Sequence, residues 1–295
     1  MLSGNILLTP WNYAALDQAG QTPAVVSGGS WLSAMPASSV QTRYLADNAR
    51  SADTQLSSTI LRFVLSKPRL VQFFCLNGHN FSSYAKWRVT GWADTGFTTP
   101  YPGADSGWID AYPGYIPWQQ LAPEYPNWLS GKPDLSTLDR MSRSSFLWFP
   151  SPKFVQAIQF EINDQLNPAG FVDVGTAFIS PVIQTAVNFL YGSTIGWSTE
   201  TKAAFAKGGT RYYDFSYPGR VAGIQFKYLN EADSFALLEL DRRMGIDRDM
   251  FVCLFPDDLG NRQYYSFQCT LNDLSRVTWE SFNSRAKTSE LRESI

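Results

Sequence analysis

Apolar and polar residues alternate with a period of two along several stretches of this chain, the period of strands with one buried face. Thr59–Leu65 and Leu70–Leu76 are short apolar runs of strand type, and the intervening Ser66-Lys67-Pro68 predicts a turn between them. Lys86–Trp92 and Ser106–Ala111 follow as shorter strands. Phe154–Ile162 predicts a strand with Phe154, Ile158, Phe160 and Ile162 on one face and Val155, Gln159 and Glu161 on the other. Phe171–Ile179 repeats the pattern after the turn Asn167-Pro168-Ala169-Gly170. Further on, Ala222, Ile224, Phe226 and Tyr228 alternate with Val221, Gly223, Gln225 and Lys227, giving a strand that ends at Leu229.

One segment has the period of a helix. Asn230 can cap Glu231–Met244, with Asp233 placed as in a capping box and Gly245 positioned to end the helix. Its predicted buried face carries Ala232, Phe235, Leu238 and Arg242. Met250–Phe255 and Gln263–Leu271 read as strands paired across Pro256–Asn261, and the polar end from Asn283 to Ile295 is expected to fray or dock on a neighbour. Many short strands and few helices make the fold mainly β. The expected organisation is a jelly-roll-like β-sandwich over residues 1–185, then a smaller α+β domain over 186–295.

The stretch Tyr112–Pro152 interrupts this texture. Seven of the 17 prolines fall in it, and proline cannot donate to a strand ladder, so a long ordered excursion over the surface is expected rather than central sheet. Tyr115, Trp118, Tyr125 and Trp128 lie in the excursion, and Trp108 lies just before it. A flexible linker is not normally so aromatic. These five rings are the candidate contact residues. They can pack back on their own domain, meet another subunit, or form a stacking platform for sugar rings.

Composition narrows the chemistry. Lys+Arg 24 against Asp+Glu 26 over 295 residues gives a net charge of -2, which offers no electrostatic case for nucleic acid. Apolar residues at 44% and charged ones at 17% place the chain among folded proteins rather than disordered ones. No apolar run is long enough for a membrane span, and the first residues lack the charge and apolar core of a signal peptide, so a soluble protein is expected. Cys75, Cys253 and Cys269 show no CxxC spacing and sit in apolar stretches, as small buried residues of a reduced protein do. A single histidine, His79, excludes a multi-imidazole metal site, and its turn setting points to a structural hydrogen bond. No GxSxG, Walker A, GxGxxG or HExxH motif is present. Asp105 with Asp110, and Asp257 with Asp258, are the carboxylate pairs that glycoside hydrolysis or a calcium loop could draw on, though neither has a supporting pattern. No catalytic residue, metal or cofactor is expected.

The order of several short motifs carries a likeness. Arg43, Ala49-Arg50-Ser51, the strand Leu61–Leu65, Gly78-His79-Asn80, Trp87-Arg88-Val89 and Asp105-Ser106-Gly107-Trp108 succeed one another in the first part. The most specific is Ile162–Gly175, in which Asn163-Asp164, Asn167-Pro168, Gly170 and Phe171 lead into a strand closing at Gly175. Pro181, Asn188, Tyr191-Gly192 and the strand–helix unit Arg220–Gly245 continue it. In this order the chain resembles tail-tip and baseplate proteins of long-tailed bacteriophages, whose N-terminal sandwich is related to galactose-binding and discoidin-type domains. The resemblance implies a non-enzymatic structural protein of the virion tail, made in the host cytoplasm. It also implies ring-like contacts with copies of itself and with other tail or baseplate proteins, built from the excursion and the C-terminal tail. Asn163 stands where the family pattern has an acid, which weakens any metal role the resemblance implies. The alternative it implies is a carbohydrate- or receptor-binding module that meets a host surface glycan.

Overall fold

The computed structural model describes residues 4–16, 22–114, 116, 119, 121–124, 127–134, 143–260, 262–281 and 284–294. The strands of the first part are β1 (Leu7–Leu8), β2 (Val25–Ser27), β3 (Ala49–Arg50), β4 (Ile60–Asn77), β5 (Lys86–Trp92), β6 (Pro100–Asp105), β7 (Ile109–Asp110), β8 (Ser144–Asn163), β9 (Asp173–Val174) and β10 (Thr176–Ser180). They are followed by β11 (Thr194–Ser198), β12 (Lys202–Phe205), β13 (Arg211–Asp214), β14 (Gly219–Leu229), the α-helix α1 (Glu231–Met244), then β15 (Met250–Cys253), β16 (Ser266–Leu271), β17 (Thr278–Ser281) and β18 (Ser284–Glu293). The fold is mainly β, and the pairings between these strands are antiparallel.

Two compact units result: residues 1–183 with 251–267, and residues 184–250 with 268–295. The segment Phe251–Phe267, which the sequence reading assigns to the second domain, belongs to the first unit. Its reason for doing so is aromatic. Phe251 lies 5.2 Å from both Phe73 and Phe146 and 6.1 Å from Phe178, ring centre to ring centre. These four rings, with Leu7, Cys75 and Cys253, form a buried cluster of their own.

In the first unit the sheet order is β10-β4-β8-β5-β6, with β2 beside β4 and β7 beside β5. Ile60–Val64 of β4 faces a single core and alternates: Leu61 and Phe63 are buried while Ile60, Arg62 and Val64 are less so. Val71–Asn77 is buried at every position, because Phe74 and Leu76 enter the main core while Phe73 and Cys75 enter the four-ring cluster.

The turn expected at Ser66-Lys67-Pro68 is not formed; β4 continues through it. Nor is Ser144–Pro152 part of a surface excursion, since β8 begins at Ser144 and lies between β4 and β5. Both departures have one cause. The β4–β8 register slips between Val64 and Arg69 and again between Val71 and Phe73, so Pro68, Pro150 and Pro152 fall where no ladder donor is required. The slips also decide the faces at this end of β8, where Val155 is buried and Phe154 exposed, the reverse of the simple alternation. Ser106–Ala111 contributes only the two-residue β7, and Phe171–Ile179 is divided at Gly175 into β9 and β10.

In the second unit β18 is paired with β14, β16 and β17, and β11 lies outside β14. The polar C-terminal segment is therefore a strand and not a frayed end. It is held by an alternation the polar residues conceal: Lys287, Ser289 and Leu291 are buried and Thr288 and Glu290 exposed. A register break between Phe226 and Leu229 puts Tyr228 at φ 59°, turning its ring out to solvent and Leu229 in. Helix α1 starts as the sequence predicts, with the Asn230 side chain accepting the Asp233 N–H at 2.7 Å, and ends at Gly245. Its buried face differs: Ser234, Leu237, Leu240, Asp241 and Met244 turn inward while Phe235 and Leu238 are exposed.

The reason is Lys287. Its Nζ donates to both Asp241 oxygens, at 2.8 and 2.7 Å, and to Ser289 Oγ at 3.1 Å. Burial pushes the Lys287 ammonium pKa down and that of the Asp241 carboxyl up, and each is drawn back by the other. Removing one partner strands a buried charge. Asp241→Asn is expected to lose about 3 to 5 kcal/mol in chemical denaturation, whereas Asp241→Leu with Lys287→Met should recover most of it. Equal stability of Asp241→Asn and the parent would show that the pair does not fix the helix face.

Candidate functional site

Of the five candidate rings, Tyr115, Trp118 and Tyr125 lie outside the described residues. Trp128 is half-buried in the turn Asn127–Gly131, where the Ser130 and Gly131 N–H groups donate to Asn127 O at 3.1 and 2.9 Å. Trp108 is 40% exposed. The structure ties these two segments together through Lys132. Its Nζ is 2.9 Å from Asp110 Oδ1 and 5.6 Å from the centre of the exposed Tyr84 ring, and its carbonyl accepts the Asn127 side chain at 2.8 Å.

The turn before Trp108 is locked. Gly107 takes φ +61°, a conformation that favours glycine, and its N–H donates to Asp105 Oδ1 at 2.9 Å. Arg88 grips both oxygens of Asp105, with Nε 2.9 Å from Oδ1. Ser106 Oγ accepts the Val89 N–H at 2.9 Å and donates to Gly107 O at 2.8 Å. The hydrogen bonds from Arg88 hold the Asp105 carboxyl below the usual carboxylate range.

Arg88 belongs to a longer row. On β5, Trp87 and Val89 enter the core while Lys86 and Arg88 point away from it. On β8 and β4 the residues facing out with them are Gln159, Glu161 and Arg62, in the pairs Arg62↔Gln159 and Arg88↔Glu161. Arg62 Nε donates to Gln159 Oε1 at 2.8 Å, and Gln159 Nε2 donates to Glu161 Oε1 at 3.1 Å. Glu161 Oε2 is 3.6 Å from Arg88 Nη1, and Arg88 holds Asp105. Arg62 also lies over the Phe97 ring at 4.9 Å. A row of planar, mutually bonded polar groups thus crosses three strands and ends at Asp105, in the turn that leads to Trp108. The alternation of Lys86–Trp92 and Phe154–Ile162 predicts which side chains face outward, but their alignment appears only once the strands are paired.

Others of the motifs that carried the family likeness, Arg50, Asn80 and the segment Ile162–Gly175, meet elsewhere in the unit. Arg50 pairs bidentately with Asp173, Nε–Oδ1 2.8 Å and Nη2–Oδ2 2.9 Å, and sits 3.9 Å from the centre of the Phe171 ring. The Asp173 N–H donates to Asn80 Oδ1 at 2.8 Å, and Asn167 Nδ2 to Asp164 Oδ2 at 2.8 Å. With Ser82 donating to Asp164, Asn80 Nδ2 to Phe171 O and Arg50 to Asp173, the polar groups of this cluster are taken up by neighbouring loops, so it is a clasp and not an open site.

His79 is buried beside Phe81, with ring centres 3.8 Å apart. The Phe81 N–H donates to His79 Nδ1 at 3.3 Å, which leaves the ring proton on Nε2, 2.9 Å from Ser145 Oγ. That tautomer cannot take a proton from the serine, and Ser145 is itself fully buried and donates to Ala111 O at 3.3 Å. The pair is structural. Of the carboxylate pairs, Asp105 is held by Arg88, Asp110 by Lys132, and Asp257 with Asp258 lies in an exposed turn. Among the described residues no three His, Cys, Asp or Glu side chains gather as metal ligands. The three cysteines are free and buried, and burial raises the pKa of each. No helix among the described residues is long and apolar enough to cross a membrane.

No protein-family model and no curated protein matches this sequence. Among solved structures the chain is similar to the family 32 carbohydrate-binding module of Clostridium perfringens NanJ in complex with galactose, at 15% identity and TM-score 0.33 over 53% of this chain and 92% of that one. It is also similar to a Streptococcus pneumoniae fucose-binding module, at 12% identity and TM-score 0.34 over 61% of this chain and 98% of that one. A third is the lectin-binding domain of lectinolysin complexed with Lewis b, at 8% identity and TM-score 0.36 over 58% of this chain and 96% of that one. Likeness at this level assigns no residue and no ligand to this chain.

Burial lowers the His79 pKa from 6.5 to about 3. The imidazole therefore stabilises the fold where it is neutral, above the unfolded value, and that contribution is lost as pH falls from 6.5 toward 3. The unfolding free energy from chemical denaturation should decline between those values by up to about 1.4 kcal/mol per pH unit from this group. His79→Gln, which does not titrate, should show a shallower decline; an identical slope in both proteins contradicts the assignment.

Proposed function

We propose that this chain is a non-catalytic carbohydrate-binding protein that lays a sugar against Trp108 and the polar strip beside it. The supporting observation is the exposed indole held by a locked turn at the end of the row Arg62–Gln159–Glu161–Arg88–Asp105. A pyranose has an apolar C–H face that packs on an indole, and its hydroxyls both donate and accept. Guanidinium, amide and carboxylate groups match that mixture. They are already fixed by bonds to one another, so ordering them on binding costs little. Arg88 and Asp105 are the more accessible members of the row, at 34% and 43% side-chain exposure, while Gln159 is buried, so a sugar would meet the row at its Trp108 end. Asp105, held ionised by Arg88, cannot serve as the general acid that protonates a leaving sugar, and His79 is buried out of a sugar's reach. Glycans ending in galactose or fucose are the first ligands to test.

A second reading, the structural subunit of a phage tail tip or baseplate, draws on a different observation. The second unit carries a ribbon of exposed aromatic residues between Ser198 and Gly219 that no strand of its own unit covers. In that reading the chain resides in the virion and contacts copies of itself and other tail proteins.

Calorimetric titration with galactose- and fucose-terminated oligosaccharides tests the first reading. Saturable binding without release of any cleavage product is expected. Trp108→Ala should weaken it about tenfold or more, equivalent to about 1.4 kcal/mol, with the thermal midpoint unchanged. No binding to any glycan on an array, or equal affinity in the variant, contradicts the proposal.

A further inference from the structure

Strands β11 and β14 are paired from Thr194↔Gly223 to Ser198↔Gly219, and the two chains then run on together as β12 and β13, from Lys202↔Asp214 to Phe205↔Arg211. The ribbon closes through Ala206–Thr210, with Gly209 at φ +82°. At its base the Thr199 and Thr201 hydroxyls donate to Ser216 O at 3.0 and 3.1 Å, and Thr201 Oγ1 accepts the Ser216 N–H at 3.0 Å. Every residue of β12 and β13 is exposed. Phe205, Tyr212, Tyr213, Phe215 and Tyr217 are each between 60% and 72% exposed. Arg211 lies 4.9 Å over the Phe205 ring, and Phe215 meets Tyr217 at 5.0 Å.

A two-stranded ribbon with no layer beneath it is marginal in water, and a cluster of exposed rings marks an interaction surface. Aromatic residues and arginine are the types that contact surfaces concentrate. Three occupants can be weighed. A membrane is disfavoured because the tip, Ala206-Lys207-Gly208-Gly209-Thr210, carries no large apolar wedge. A single sugar is disfavoured because successive residues of a strand point to opposite faces, so Tyr212 and Tyr213 cannot line one platform. A protein that clasps both faces remains. Lys202, Lys207 and Arg211 against Asp214 give residues 202–214 a charge of +2, which leaves -4 for the rest of a chain whose net charge is -2. Ribbon against ribbon sets like charges together, whereas ribbon against the body of another copy is attractive.

We infer that residues 202–217 form a docking arm that clasps the more acidic body of a second copy of this chain. The contact is heterologous, arm to body, which builds rings or open chains rather than closed pairs. This inference rests on the assembly reading and is independent of the glycan face on the first unit.

Sedimentation velocity of the full chain, from about 1 to about 100 µM, tests it. Self-association that rises with concentration, and is weaker at about 500 mM than at about 50 mM salt, is expected. Phe205→Ser with Tyr213→Ser and Phe215→Ser should shift the association midpoint at least tenfold, with far-ultraviolet circular dichroism and thermal midpoint unchanged. Lys202→Glu with Arg211→Glu, two exposed substitutions that leave the rings in place, should weaken association in the same direction. A parent that stays monomeric throughout overturns the inference. So does association of the charge-reversal variant equal to the parent's, or binding of the arm to vesicles of phosphatidylglycerol and phosphatidylcholine in place of self-association. Glycan titration of the same variants separates the two readings, because arm substitutions leave the Trp108 face intact.

Discussion

The antiparallel ladder between β4 and β8 joins residues far apart in sequence; Arg62 and Gln159, bonded across it, are 97 positions apart. Its first part presents one face to the core and the other to solvent, and its second part is buried on both faces. Such a ladder constrains everything around it. The doubly buried part needs a second layer of apolar side chains, which Phe251 and Cys253 supply, so a segment late in the sequence returns to the first unit. The singly buried part aligns its outward residues with those of β5, and that alignment produces the polar strip. Moving β8 by one position against β4 would exchange Phe160 and Ile162 for Gln159 and Glu161 in the core, at several kcal/mol for each buried polar group left unpaired.

Local signals were legible where local physics decides. Lys86–Trp92 is a strand over the residues its alternation marks, and α1 spans Glu231–Met244 because Asn230 and Gly245 cap it chemically. The features that the sequence misassigns are those settled by distant partners. Pro68, Pro150 and Pro152 resemble breaks, yet two long strands slip past each other at those points and need no N–H there. The C-terminal strand looks too polar to be buried until Lys287 is matched with Asp241, and the same match rotates the helix so that Leu237 and Met244 are covered and Phe235 is not.

The candidate site shows the same division. Trp108 was legible as a candidate ring next to the aromatic excursion, but its segment predicts a strand, whereas Ser106-Gly107 forms a turn and only Ile109–Asp110 is strand. Glu161, Gln159 and Arg62 were not legible, since nothing in three separate segments announces their register. Arg50, Asn80, Asp164, Asn167 and Asp173, the positions most suggestive as a motif, turn out to bind each other and fasten loops. Recurring polar motifs of this kind serve the fold as readily as a ligand, and the distinction lies in whether any donor or acceptor is left over. At the Arg88–Asp105 end of the row, polar groups are fixed by their neighbours yet keep part of their surface in solvent, the state a preformed recognition surface requires.

The central claim is that Trp108 is the ring a glycan meets. Fluorine NMR of the full chain carrying fluorotryptophan reads each indole separately, with the Trp108 signal assigned through Trp108→Phe. Addition of a galactose- or fucose-terminated oligosaccharide should shift that signal saturably while the buried Trp87 signal stays in place. A Trp108 signal unmoved at saturating ligand, or a shift confined to Trp197 or Trp279 in the second unit, would contradict the account.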